Sequence, residues 1–317
     1  MREALFVKQN SEKWQHYDSM QQANPDEIAN QFIEITNDLA YSKTFYPNSK
    51  TTAYLNGLAS KLHQSVYKNK KEKSNRFIHF WKTELPLLFL FHRKQIFYAL
   101  AFFLISCAIG AISAKYDDTF VRLIMGDGYV NMTNENIAKG DPFGVYKQQN
   151  EFMMFMQIGL NNIFVALYTF VLGIIFSFGS IVSLFRNGIM LGSFQYFFFS
   201  KGLGLQSVLV IWIHGTLEIS AIVLAGAAGL VLGNSFLFPK TYTRMESVLK
   251  GAKHGLKMVL GLVPIFIVAA FFESFITRHT EMPIYFSILI LVLSAVFIIW
   301  YVFIYPVKIY NKEAQLN

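Results

Sequence analysis

The chain has 317 residues, 53% of them hydrophobic and only 15% charged, with a mean hydropathy of +0.35 and a formal net charge of +8. Soluble domains carry roughly 25% charged residues, so the composition excludes an ordinary water-soluble domain and predicts an integral membrane protein. A single cysteine, Cys107, excludes an intramolecular disulfide and a cysteine-based metal cluster.

The first 75 residues are polar and mixed in charge and read without a signal peptide, so the first apolar span is expected to act as its own insertion signal. Three helices are predicted there. Glu3 to Ala23 carries Leu5, Phe6, Trp14 and Tyr17 at roughly helical spacing. Asn24-Pro25-Asp26-Glu27 starts the second, with Asn24 as N-cap, Pro25 at the first helical position and acids in the first turn. It runs to about Tyr41 with Ile28, Phe32, Ile35 and Leu39 on one face, and Phe45-Tyr46-Pro47-Asn48 breaks it. The third, from about Lys50 to Tyr67, carries Tyr54, Leu55, Leu58, Leu62 and Val66. With no nucleophile, metal or phosphate motif, residues 1–75 read as a cytoplasmic helical module that meets the membrane part or a protein partner.

The basic run Lys68 to Lys73 leads into Phe77 to Pro86, where aromatic and basic residues interleave. Residues 76–94 therefore read as an interfacial helix on the anionic cytoplasmic leaflet. The basic residues sit beside apolar spans, so the positive charge points to that leaflet rather than to nucleic acid.

Residues 95–310 form the transmembrane part of an all-α, polytopic bundle. Six spans are expected: Gln95 to Ala114, Asn162 to Phe185, a short third from Gly188 to Ser200, Leu205 to Leu232, Leu256 to Ile276 and Ile284 to Tyr305. The third is too brief for a straight crossing of a core about 30 Å thick. Residues 115–151 are too polar to cross and read as an outward loop, with Thr119 to Met125 and Phe152 to Met156 suited to an interface. Lysines and arginines near the span ends place both termini in the cytoplasm of a cell membrane if the third segment crosses. If it re-enters instead, Lys240 to Lys253 face outward, against the charge rule.

The chain is organised around His214-Gly215-Thr216-Leu217-Glu218, which puts a histidine and a glutamate four residues apart on one face of an apolar helix. Ionisable residues inside a membrane mark functional sites by default. At about 1.5 Å per residue, His214 and Glu273 fall at a similar level, Asn161 and Asn162 begin the second span on the same side, and Glu218 lies about one turn deeper, so Asn161 or Asn162, His214, Glu218 and Glu273 are expected to form one polar cluster towards the outer leaflet. Three readings are open: a hydrogen-bonded lock between helices, a proton, cation or small-solute site, and a metal centre of an intramembrane hydrolase. In the last, His214, Glu218 and Glu273 would be the ligands, although no His-Glu-x-x-His follows. His254 reads as a boundary residue. Gly188, Gly192, Ala225, Gly229 and Gly233 permit close helix approach, either inside one bundle or across a homodimer. Pro264 is expected to kink the fifth span and free the Leu260 carbonyl.

Asn161-Asn162 opening the second span, Gly173 within it, Asn187-Gly188 with Gly192, and the His214-Gly215-x-x-Glu218 block running into Ala225-Gly226-Ala227-Ala228-Gly229 together resemble the stage II sporulation protein M family over roughly residues 90–310. The resemblance implies a polytopic membrane protein of bacteria or archaea, whose named member scaffolds peptidoglycan hydrolases during spore formation. The N-terminal module is a departure and suggests a different partner. The expectation is thus a bacterial inner-membrane scaffold or assembly partner in envelope remodelling, without enzymatic activity or a cofactor. A channel or transporter using the His/Glu cluster stands second and a metallohydrolase third.

Overall fold

A computed structural model describes residues 2–19, 25–68, 76–147, 150–278 and 282–315. Every regular element among them is helical. The Asn24 cap and the basic run over 69–73 lie outside the described residues. The chain divides into two units, Met1–Arg76 and Phe77–Asn317.

The first unit comprises α1 (Glu3–Ser19), α2 (Pro25–Phe45) and α3 (Lys50–Lys68). Phe6, Trp14, Ile28, Ile35, Leu39, Leu55, Leu58 and Leu62 make its core, so the apolar faces drawn from helical spacing meet one another. Trp14 is also fixed at its polar edge, donating from Nε1 to Asp38 at 2.8 Å while Lys13 holds the same carboxylate at 2.7 Å. Leu5 and Tyr54, assigned to those faces, are exposed instead.

The second unit opens with α4 (Arg76–His79), a π turn (Phe80–Glu84) and α5 (Leu85–Phe91). Phe77 and Ile78 are exposed, whereas Leu85, Leu88 and Phe89 enter the main core. Trp81 donates to the Gly261 carbonyl at 3.3 Å, the Tyr301 hydroxyl donates to the Trp81 carbonyl at 2.7 Å, and Lys257 pairs with Glu84. The segment is therefore built into one end of the bundle along its apolar side.

The long helices follow: α6 (Arg93–Tyr116), α9 (Glu151–Val171, continued by a 3-10 turn Leu172–Ile174), α10 (Phe178–Ser200), α11 (Gly204–Leu237), α12 (Arg244–Phe271, continued by a π turn Phe272–Thr277) and α13 (Ile284–Ile299). A π turn (Trp300–Ile304) leads from α13 into α14 (Tyr305–Ala314). Between α6 and α9 lie α7 (Asp118–Met125), α8 (Asp127–Ala138) and a 3-10 turn (Gly144–Lys147). The expected outward loop is thus a helical cap, with Ala114, Val121, Val130, Phe143, Phe197, Phe198 and Ile211 as its core.

Among the described residues five helices are long and apolar enough to cross a membrane by length and composition: Arg93–Tyr116, Glu151–Ile174, Gly204–Leu237, Arg244–Thr277 and Ile284–Lys312. The chain is a multi-pass membrane protein. The third segment is not short: α10 has 23 residues. It runs beside α6 in the same direction, Gly188 meeting Phe103 and Ser106, and Gly192 meeting Cys107 and Ala111. Arg186, Asn187 and several serines dilute its apolarity.

The boundaries around it move for two reasons. Asn150 caps α9, accepting from Phe152 and Met153, so the apolar run 152–156 belongs to the span and Asn161-Asn162 lie ten residues inside it. At the other end Phe176 and Ser177 take positive φ of 49° and 67° and turn the chain. Ile175-Phe176-Ser177 carries no glycine, proline or asparagine, so periodicity alone reads straight through that turn.

Burial identifies α11 as the central helix. Within its apolar window 61% of the residues are buried, against 28–39% in the other four spans. A Cβ on Gly229 would land on Ser180, and one on Gly233 on Ser177, while Ala225 is fully buried. Gly188 and Gly192 are filled just as closely by α6. All five small-residue positions are used inside one chain, which leaves none of them as the stripe for a homodimer.

Candidate functional site

His214 lies ten residues into α11 and Asn161 ten residues into α9, each roughly 15 Å below the capped end of its helix. Glu273 arrives on the π turn that ends α12. Such a turn inserts an extra residue into the helical register and re-aims side chains, a feature frequent at functional sites. His214 Nε2 is 3.9 Å from a Glu273 oxygen, and ligand atoms of His214, Glu218 and Glu273 all lie within 4.8 Å of one another. His214 Nδ1 is hydrogen-bonded at 3.0 Å to the hydroxyl of Thr277, one turn beyond Glu273 on the same element.

These groups form the floor of a partly open cavity of about 680 Å³. Asn161 and Asn162 line it, as do Gln157 from α9, Met190 and Phe194 from α10, Trp212 and Gly215 from α11, and Met125 and Tyr129 from the cap. Asn162 is buried beside Glu218, and its Nδ2 makes no hydrogen bond of ordinary geometry. The Asn161 amide donates to the Asn162 oxygen at 3.4 Å. Trp212 is held in the wall by donating to Gln195 at 2.9 Å, and Gln195 donates in turn to Ser207. Gly215 borders the open space of the cavity: a Cβ there would meet nothing within 4 Å. From the cap, Tyr129 presents a neutral phenol. Burial pushes its pKa up to about 12, opposed by the Thr133 hydrogen bond and reinforced by the charge of Glu273.

The cavity stops at this floor. Beyond Glu218, Ala221, Ala225 and Ala228 are fully buried, and Gly229 and Gly233 touch neighbouring backbone. Its walls are largely apolar, and Leu191, Trp212 and Ile219 separate it from an apolar groove of about 800 Å³ along α6, α10 and α11. The arrangement can hold a guest with an apolar body and a polar end, and among the described residues α11 is close-packed beyond it.

The structure brings together the five polar residues singled out by depth. Thr277, Tyr129, Gln157 and Trp212 join them. Thr277 carried a usable signal, being four residues from Glu273; Tyr129 carried none, because its approach depends on how the cap folds back. His254 stays outside the cluster, 2.9 Å from His92 near the opposite end of the bundle. Gly188, Gly192, Ala225, Gly229 and Gly233 pack helices and do not line the cavity.

The family model described as stage II sporulation protein M matches residues 99–278, more than half of the chain and the whole of the cavity floor. A separate domain family of unknown function matches residues 4–68. No curated protein and no solved structure matches the chain.

Proposed function

The chain belongs to the stage II sporulation protein M family, and from that premise we propose that its capped cavity is a binding pocket for a small amphipathic molecule. The observation that carries this reading is the dead-ended cavity with His214, Glu218 and Glu273 at its floor. A lock between helices would be close-packed, and a channel would continue past Glu218. Basic residues at the end opposite the cap, including Arg93, Lys94, Lys240, Arg244, Lys308 and Lys312, support an orientation with that end in the cytoplasm and the cap outside.

Stability separates the pocket from the lock without knowledge of the guest. Two carboxylates and an imidazole crowded in a low-dielectric site are costly, and replacing such groups by apolar ones of similar volume is often neutral or stabilising by 1–4 kcal/mol. Glu218→Met is therefore expected to raise the thermal unfolding temperature of chelator-treated protein. In a lock the same change breaks interhelical contacts, each worth about 0.6 kcal/mol on average, and a lowered temperature would count against the pocket.

A second reading concerns the N-terminal unit. It folds around its own core, has its own family match, and exposes Leu5, Ile33, Phe45 and Tyr54. These features support recruitment of a cytoplasmic protein, in line with the scaffold role of the family's named member. Deleting residues 2–75 is expected to leave membrane insertion intact and to remove co-purifying partners. Unchanged partners would sink this reading.

A further inference from the structure

We propose that the cavity floor is a divalent transition-metal site, with His214 Nε2 and one oxygen each of Glu218 and Glu273 as ligands and a fourth position open to the cavity. The inference rests on the pocket reading and gives the pocket its chemistry.

Around a tetrahedral zinc with ligand bonds of about 2.1 Å, neighbouring ligand atoms stand about 3.4 Å apart. The His214–Glu273 separation of 3.9 Å and the 4.8 Å limit for the set are closed by small side-chain rotations. The charge balance fits as well. Two neighbouring carboxylates in a buried site repel each other, and a divalent cation neutralises both. Imidazole favours zinc and its neighbours over magnesium or calcium, which prefer all-oxygen sites.

The surroundings complete the argument. Histidine ligands commonly donate their second ring N–H to an oxygen, which fixes the ring and its tautomer. With Nε2 on a metal the proton is on Nδ1, and the Thr277 hydroxyl, 3.0 Å away on the same π turn as Glu273, is placed to accept it. That turn therefore delivers a ligand and the support of another ligand together. Asn162, buried beside Glu218 and lining the cavity, is placed to offer its Nδ2 as a donor to an oxygen bound at the open position. Three protein ligands with one open position form the pattern of zinc sites that bind water or a guest, as opposed to closed structural sites. The polar end of the guest is then an oxygen donor such as a carboxylate or phosphate.

The test uses full-length protein in lipid nanodiscs, stripped with a chelator and equilibrated with zinc, followed by elemental analysis. About one zinc per chain is expected, and cobalt in its place should give the visible absorption of a four- or five-coordinate ion. Glu218→Gln, Glu273→Gln and His214→Gln should each weaken binding about 100-fold or more, and the supporting Thr277→Val about 10-fold. Thermal unfolding of the stripped proteins establishes that each variant folds, and Thr277→Val, which leaves all three ligands in place, keeps the test decisive if a ligand variant does not. Absence of stoichiometric zinc in folded wild-type protein, or equal binding by the variants, overturns the proposal and leaves a proton shared by the two carboxylates in its place. Labelling of a cysteine at position 161 reports on the pocket independently, so loss of the metal alone would leave the pocket reading standing.

Discussion

Gly229→Leu is expected to abolish the folded transmembrane unit. The first added carbon already lands on Ser180 and lies 3.0 Å from the Thr169 carbonyl. Three more carbons must then fit where Ala225, one turn back on α11, and the adjacent Ala228 are fully buried. Overpacking by even a few methylenes costs about 1–3 kcal/mol where side chains can shift. Here part of the obstacle is backbone, so the loss should exceed about 4 kcal/mol, a large share of the 5–15 kcal/mol that holds a typical protein together.

Two other glycines of α11 calibrate the effect. A Cβ on Gly226 meets the branched end of Leu184, which can rotate, and one on Gly215 meets nothing. Size-exclusion profiles and unfolding temperatures in detergent should therefore rank Gly215→Ala near wild type, Gly226→Ala below it and Gly229→Leu lowest. A Gly229→Leu protein with wild-type stability would refute the packing described for α11.

The contrast between these glycines shows how far the sequence could be read. Small residues at helical spacing from Ala221 to Gly233 mark a face for close approach, and that face is used. Spacing does not name the neighbour. The approach of Gly229 to Ser180, and of Gly192 to Cys107, depends on where the chain turns after Ile174. That turn is made by Phe176 and Ser177 in a conformation their side chains do not advertise. A local miss there shifted the ends of two spans and made a full-length helix look short.

The cavity floor was more legible because it depends on depth and not on turns. Counting residues from apolar boundaries puts His214 and Glu273 at a similar level, with Glu218 about one turn deeper, whichever helices are neighbours, and errors of a few residues change those depths by only a few ångströms. Asn161 and Asn162, expected at the start of a span, lie in its interior and still line the cavity. What the spacing cannot reveal is empty space. Gly215 faces open space on α11, and Met125 and Tyr129 of the cap line the cavity above its floor. Both follow from tertiary packing of a segment that reads as a polar loop.

The claim that function resides in a partly open cavity beneath the cap, closed beyond Glu218, is tested most directly by thiol accessibility. Cys107→Ser removes the native thiol, and single cysteines then replace Asn161, an exposed residue of the cavity wall, and Ile222, buried one turn beyond Glu218. A membrane-impermeant thiol reagent is added from the cap side to oriented membranes. The cysteine at 161 is expected to react at least about 100-fold faster than that at 222, the factor set by an opening cost of about 2.7 kcal/mol at the packed position. Equal rates would reveal a continuous path and a channel. An unreactive cysteine at 161 would reveal a sealed knot between helices, and either result would contradict the account.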